Sequence, residues 1–164
     1  TLSLADAGEL PLALQTVSPQ VILERVAARH AIAAQQKEIS IQVEAGQSLP
    51  DVRVDVERLA QVLDNLVLNA FRYTQPGGEI ILAVKVEKGA VLMQVRDNGS
   101  GIAAEDLPYI FDRFYKGDKA RQQAGESGLG LAIAKSIIEA HGGKISVESV
   151  PGQGTIFTIS LKPA

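Results

Sequence analysis

A chain of 164 residues is the size of one ordinary globular domain and can bury a core without disulfides or a metal. It has no cysteine, which excludes a disulfide scaffold, a thiolate zinc site and a cysteine nucleophile. The 46% apolar fraction is too high for a disordered chain, and a net charge of −3 gives no basis for nucleic-acid binding. No apolar run reaches the ~18 residues of a membrane span, so no membrane contact is expected of these residues. Ten of the 15 glycines lie between Gly99 and Gly154, which marks the second half as backbone that turns tightly or approaches something closely.

In chain order, residues 1–17 read as the end of a linker, with Gly8 and Pro11 interrupting loosely spaced leucines. Residues 18–164 form the domain, opening at Ser18-Pro19 with a helix to about Gln36. Ile39, Ile41 and Val43 alternate with polar residues as a half-buried strand, and Asp51–Val54 is a second short strand. Asp55 caps an amphipathic helix whose stripe is Leu59, Val62, Leu63, Leu66, Val67 and Ala70, ending near Thr74. Glu79–Glu87 and Val91–Asp97 pair across the turn at Lys88-Gly89-Ala90. A long segment from Asn98 to Gly128 carries one short helix. A helix over Leu129–Ala140 and strands over Lys144–Val150 and Thr155–Leu161 complete the chain. Helices and mainly hairpin-linked strands, without regular βαβ alternation, give an α/β two-layer sandwich.

Four clusters carry chemistry. Asn65 and Asn69 stand one turn apart on one helix face. Two readings stay open for them: amides bonding a neighbouring loop, or oxygen donors for a hard cation such as Mg²⁺. Arg72 and Tyr73 add a cation and a hydrogen-bonding ring at that helix end. Asp97-Asn98-Gly99-Ser100-Gly101 follows a strand and leaves little side-chain bulk beside an acceptor, so a flat ligand can pack on backbone. Gly125-Glu126-Ser127-Gly128-Leu129-Gly130 runs into a helix and exposes amides to an anion. It is neither a P-loop nor a dinucleotide fingerprint, because no Lys-Ser/Thr follows and no βαβ unit contains it. Gly152-Gln153-Gly154-Thr155 is explained equally well as a plain hairpin.

The order of these clusters, with Phe111-Asp112-Arg113-Phe114 between the second and third, resembles the catalytic ATP-binding domain of bacterial two-component sensor histidine kinases. These belong to a wider superfamily with gyrase B, Hsp90 and MutL. The resemblance covers about Ser18 to Lys162. It implies a Bergerat-type fold, a mixed and mainly antiparallel sheet on about three helices, with a mobile lid over ATP. It also implies Mg²⁺-ATP as cofactor and transfer of the γ-phosphate to a histidine.

By that resemblance, Asn69 ligates Mg²⁺, Asn65 supports the phosphate and metal site, and Arg72 touches phosphate. Tyr73 lines the nucleotide pocket. Asp97 reads adenine with Gly99 and Gly101 forming its turn, and Thr155 helps hold adenine through water. Gly128, Leu129 and Gly130 let the lid and helix approach the triphosphate. Phe111 and Phe114 pack the lid base, and Arg113 and Lys116 are cations near the γ-phosphate. Asn65 stands where ATP-hydrolysing relatives place a glutamate base, and an amide cannot take a proton. Asp64 is adjacent but about 140° round the helix from Asn69. This favours a histidine kinase over a gyrase-B-like ATPase. A catalytically inactive nucleotide-sensing scaffold of the same fold is the other alternative.

Neither histidine has a phosphoacceptor context: His30 is expected to face solvent, and His141 to end a helix structurally. The implied partners are therefore a dimerisation and phosphoacceptor domain of the same parent protein and, through it, a response regulator. This segment alone is expected to be monomeric and cytoplasmic, in a parent of a kind often anchored in the inner membrane.

Overall fold

A computed structural model describes residues 11–112 and 130–164. β1 (Gln15–Val17) leads directly into α1 (Pro19–Gln36), where the Ser18 hydroxyl accepts from the Val21 N–H at 3.4 Å. Proline in the first turn costs nothing, because that N–H has no helical partner. β2 (Ser40–Ala45) and β3 (Val52–Val54) follow, and then α2 (Val56–Tyr73). The Asp55 carboxylate caps α2 by accepting from the Arg58 N–H at 3.1 Å, and all six residues of the expected stripe are buried.

β4 (Glu79–Glu87) and β5 (Ala90–Asp97) form the expected hairpin. In the long segment from Asn98, the described residues include a 3-10 turn at Leu107–Tyr109. The last elements are α3 (Gly130–Ala140), β6 (Lys144–Val150) and β7 (Gly154–Leu161). Five strands make one sheet in the order β2-β4-β5-β7-β6; β2 and β4 are parallel and every other neighbour is antiparallel. This is the two-layer sandwich that the sequence predicts. The helices seal the core, where Leu23, Leu63 and Leu66 meet Leu82, Met93, Phe157 and Ile138, all fully buried. Fixing these side chains in one layer leaves the strand ends free to carry chemistry.

Within the stretch read as the end of a linker, Gln15–Val17 forms a strand. These residues pair antiparallel with β3, Gln15 opposite Val54, and the Ala13 N–H donates to Asp55 at 3.0 Å. The partner strand lies some 37 residues onward, so no local pattern announces the pairing.

His141 is structural, as expected. Its Nδ1–H donates to the Ile137 carbonyl at 2.8 Å and its Nε2 accepts from the Asp55 N–H at 3.0 Å. The neutral ring thus ties the end of α3 to the start of α2. The expectation for His30 is overturned. Its side chain is only 11% exposed, lies 2.8 Å from Asp64 Oδ1, and meets Phe71 edge-on at 6.0 Å. Arg29 holds the other Asp64 oxygen. Burial against Phe71 makes the pair with Asp64 more favourable than a solvated ring.

Candidate active site

The end of β5 and the start of β7 are the floor of the site, with Asp97 opposite Thr155. After Asp97 the chain folds back on itself. The Gly99 N–H donates to Asp97 Oδ1 at 2.9 Å, and Asn98 Oδ1 accepts from the Glu79 N–H at 2.8 Å. The Ser100 N–H then reaches the Tyr73 carbonyl, the last of α2, at 2.9 Å. A Cβ at Gly99 would lie 2.2 Å from that carbonyl oxygen, so only glycine lets the turn dock on the helix. Gly101 has φ +78°, and a Cβ there would lie 2.4 Å from the Val150 carbonyl oxygen. From the other side, the Gly152 N–H donates to the Ser100 carbonyl at 2.6 Å.

The turn is thereby clamped between α2 and the β6–β7 hairpin. Gly99→Ala is expected to cost about 1–3 kcal/mol, because the obstacle is backbone and cannot swing away. Thermal denaturation checks this; an unchanged melting temperature would show that the helix end yields freely.

The fourth cluster belongs to the site as well. Gly154 packs with φ +130°, and its Cβ position is taken by the Asp97 carbonyl oxygen at 2.1 Å. A hairpin alone does not require this. The pairing register requires it, and register is a long-range property. The residue that sequence patterning missed is Ser149. Its Oγ accepts from the Ile102 N–H at 2.7 Å, donates to the Gly154 carbonyl at 3.0 Å and lies 2.8 Å from Thr155 Oγ1. Its only sequence signal is a serine two residues before a Pro-Gly turn.

On α2, Asn69 is a buried polar residue, 5% exposed, in the helix that ends on this turn. Asn65 donates through Nδ2 to the Gly130 carbonyl at 3.1 Å, tying α2 to the start of α3. Of the two readings of the amide pair, Asn65 thus realises the one in which an amide bonds a neighbouring segment. A Cβ at Gly130 would meet the Asn65 amide only at 3.9 Å, an ordinary contact. Arg72 and Tyr73 close α2 beside the Asp97 turn. Phe111 packs edge-on against Phe157 at 6.1 Å with the Lys135 ammonium 6.0 Å from its centroid. Arg113, Phe114, Lys116, Glu126, Gly128 and Leu129 lie outside the described residues.

Burial pushes the Asp97 carboxyl above the ordinary carboxylate value, against the opposing pull of the Gly99 and Thr155 N–H groups. Asp64 is occupied by Arg29 and His30 and offers no free carboxylate near Asn69. Among the described residues no three His, Asp or Glu side chains gather to hold a metal. The buried amide oxygen of Asn69 is a donor of the kind a hard cation takes. A cavity of about 330 Å³ adjoins the strand ends, lined by Asp97, Ser149 and Thr155 and by Ile81, Arg96 and Ile156. Ile81, Arg96 and Ile156 alternate with the core-facing Ile80, Val95 and Phe157, so the cavity opens on the sheet face away from the helices and from Asn69 and Tyr73.

Residues 54–164 match the family described as histidine kinase-, DNA gyrase B- and HSP90-like ATPases. The chain belongs to that family. Its relatives place it among the catalytic domains of sensor histidine kinases. The sensor histidine kinase WalK of Bacillus subtilis (strain 168) is 43% identical over 126 residues, covering 73% of this chain and 21% of WalK. The sensor protein DivL of Caulobacter vibrioides is 38% identical over 156 residues, covering 95% of this chain and 20% of DivL. The chain spans about a fifth of the length of these curated relatives. Among solved structures, full-length ShkA in complex with AMPPNP superposes with TM-score 0.88 at 30% identity, covering 99% of this chain and 34% of ShkA. The nucleotide-free catalytic domain of histidine kinase ThkA gives 0.81 at 25% identity, covering 93% of this chain and 97% of that one.

Proposed function

We propose that this domain binds Mg²⁺-ATP and donates the γ-phosphate to a histidine on a dimerisation and phosphoacceptor domain of the same parent protein, as the first step of a two-component relay. The observation that carries it is the docking of the Asp97–Gly101 turn on the last carbonyl of α2. That contact sets an amine-reading carboxylate beside a helix with a buried amide donor, the two ends of a nucleotide. The AMPPNP held by ShkA supports the same ligand class here.

In this reading Asp97 accepts from the exocyclic amine of adenine, with Thr155 beside it. Asn69 offers an amide oxygen to the cation, and Arg72 neutralises phosphate charge at the mouth. Bound Mg²⁺ supplies charge neutralisation of the phosphate oxygens during transfer. The residues themselves position and exclude water; none must act as a base, since a neutral imidazole acceptor is already nucleophilic. Asn65 cannot activate water, and its amide is engaged with Gly130, which favours transfer over hydrolysis. His30 and His141 are both engaged inside the fold, which supports an acceptor elsewhere in the parent. The response regulator would take the phosphate from that acceptor.

Isothermal titration with ADP and AMPPNP, with and without Mg²⁺ and against GTP, tests the binding half. Adenine-selective, Mg²⁺-dependent binding is expected. Binding of neither nucleotide would overturn the proposal in favour of an inactive scaffold. The transfer half is tested by adding the acceptor helices of the parent and following acid-labile phosphate.

A further inference from the structure

We infer that Asp55 is a positioning residue for the phosphate end of the site: its carboxylate holds β1 and its main-chain N–H holds the end of α3, so docking of β1 on β3 sets how α3 sits against Asn65. The inference rests on the nucleotide-binding reading above and extends it to a control point at the start of α2.

Three elements meet at this residue. Asp55 Oδ2 accepts from the Ala13 N–H at 3.0 Å, just before β1, and Oδ1 accepts from the Arg58 N–H at 3.1 Å, capping α2. Its own N–H donates to His141 Nε2 at 3.0 Å, and the His141 Nδ1–H donates to the Ile137 carbonyl at 2.8 Å, in the last turn of α3. The carboxylate is fixed from two sides, and with it the direction of the N–H that holds α3. A second tie joins the same two helices, where Asn65 Nδ2 donates to the Gly130 carbonyl at 3.1 Å. From Asp55 to Asn65 is about 15 Å of helix, and the 11 residues of α3 span about 16 Å. The two ties match in spacing and pin a pair of antiparallel helices at both ends of α3. A shift at the His141 end is passed along this rigid element to Gly130 and Asn65.

β1 is the weakly held partner in this arrangement. It has three residues, Gln15 and Thr16 exposed and Val17 half-buried, and it pairs with β3 in a two-stranded sheet separate from the main one. A ribbon of that size is marginal by itself, so β1 has a docked and a free state close enough in free energy for a small bias to matter. In the docked state the Ala13 N–H occupies Oδ2. In the free state Oδ2 returns to water and the aim of the Asp55 N–H loosens. The coupling is reciprocal: if docked β1 favours binding at the phosphate end, a ligand that fills that end favours docked β1 by the same factor. A pull on β1 from the rest of the parent protein would then weaken the hold on the terminal phosphate. Asp55 touches no ligand in this scheme and acts through α3 and Asn65.

The test uses the full chain with ADP and AMPPNP, which share the base and differ at the phosphate end, so their affinity ratio isolates that end. Asp55→Asn keeps a capping oxygen for the Arg58 N–H but has one acceptor oxygen for two donors. By isothermal titration it is expected to lower the AMPPNP/ADP affinity ratio about fivefold, with ADP affinity itself changed less than about twofold. Ala13→Pro removes the donor and should lower the ratio likewise, and the double variant should fall no further than either single change. His141→Leu should also lower it, whereas His141→Gln, which offers an oxygen to the Asp55 N–H, should keep it. Amide hydrogen exchange gives the reciprocal readout. In the unaltered chain AMPPNP should slow exchange at Ala13 about fivefold more than ADP does, and in His141→Leu no more than ADP does. Equal losses of both nucleotides in Asp55→Asn would make the residue a helix cap alone and overturn the inference. Exchange at Ala13 that AMPPNP leaves at its ADP value would overturn it too. If His141→Leu does not fold, Asp55→Asn and Ala13→Pro decide the outcome. Failure of the unaltered chain to bind either nucleotide would instead overturn the nucleotide-binding reading, so the two failures are distinct.

Discussion

Asn69→Ala is expected to lower phosphotransfer to an added acceptor domain by about 10²–10³-fold, while binding of ADP without Mg²⁺ falls no more than about threefold. The split follows from where Asn69 sits. It is buried on α2, and the helix ends on the Asp97 turn through the Tyr73 carbonyl. Truncation to alanine therefore removes an oxygen donor and leaves the turn clamped. The neighbouring carboxylate on α2, Asp64, is held by Arg29 and His30 and does not stand ready to replace it. The loss should be steepest at low Mg²⁺ and partly restored by raising the metal concentration, which a titration of rate against Mg²⁺ measures. Full activity in Asn69→Ala at low Mg²⁺ would end the metal role.

Most of the fold was legible because its signals are local. The caps at Ser18 and Asp55 and the six-residue stripe of α2 are written within a turn or two of one another, and helix boundaries followed them closely. β7 alternates strictly between buried and half-buried positions, as its sequence period predicts. What escaped depends on partners far along the chain. β1 forms only because β3 lies beside it. His30 looks like a surface residue until α2 delivers Asp64 and Phe71 to it, 34 and 41 positions later. Gly154 reads as a hairpin glycine until the β5–β7 register drives the Asp97 carbonyl into its missing Cβ.

The site shows the same division. Asp97, Gly99 and Gly101 were legible as a turn with an acceptor, and the structure gives Gly99 and Gly101 their reasons in Tyr73 and Val150. Ser149 was not legible, because its three partners come from the loop at Ile102 and the start of β7, which meet only in the folded chain. Gly130 was grouped with the lid glycines, and within the fold a Cβ there would make only an ordinary contact with Asn65.

Asp97→Asn is expected to weaken ADP binding by about 10–100-fold, the loss of a hydrogen bond to a charged acceptor, and to narrow the preference for ATP over GTP. An asparagine can turn its amide nitrogen toward the base, and a donor there suits a carbonyl oxygen better than an amine. Its ionisation gives a second, independent check. Burial raises the Asp97 carboxyl above its ordinary value of 3.8 in the free domain. The ionised form is the one that accepts from adenine, so affinity should fall as pH drops through that raised value, earlier than an exposed aspartate would allow. For the nucleotide-free fold the sign is opposite. A group whose folded value is raised contributes stability below its unfolded value and loses that contribution as pH rises through the folded one. At neutral pH the charged Asp97 is therefore a cost to the empty domain, partly offset by the Gly99 and Thr155 N–H groups that point at it. Bound adenine adds a third donor and relieves that cost, so nucleotide binding should stabilise the domain more at neutral than at acidic pH. Melting temperatures with and without ADP across the acidic range measure this directly. A nucleotide-induced shift that grows on acidification, or that is unaltered in Asp97→Asn, would remove Asp97 from the recognition of the base.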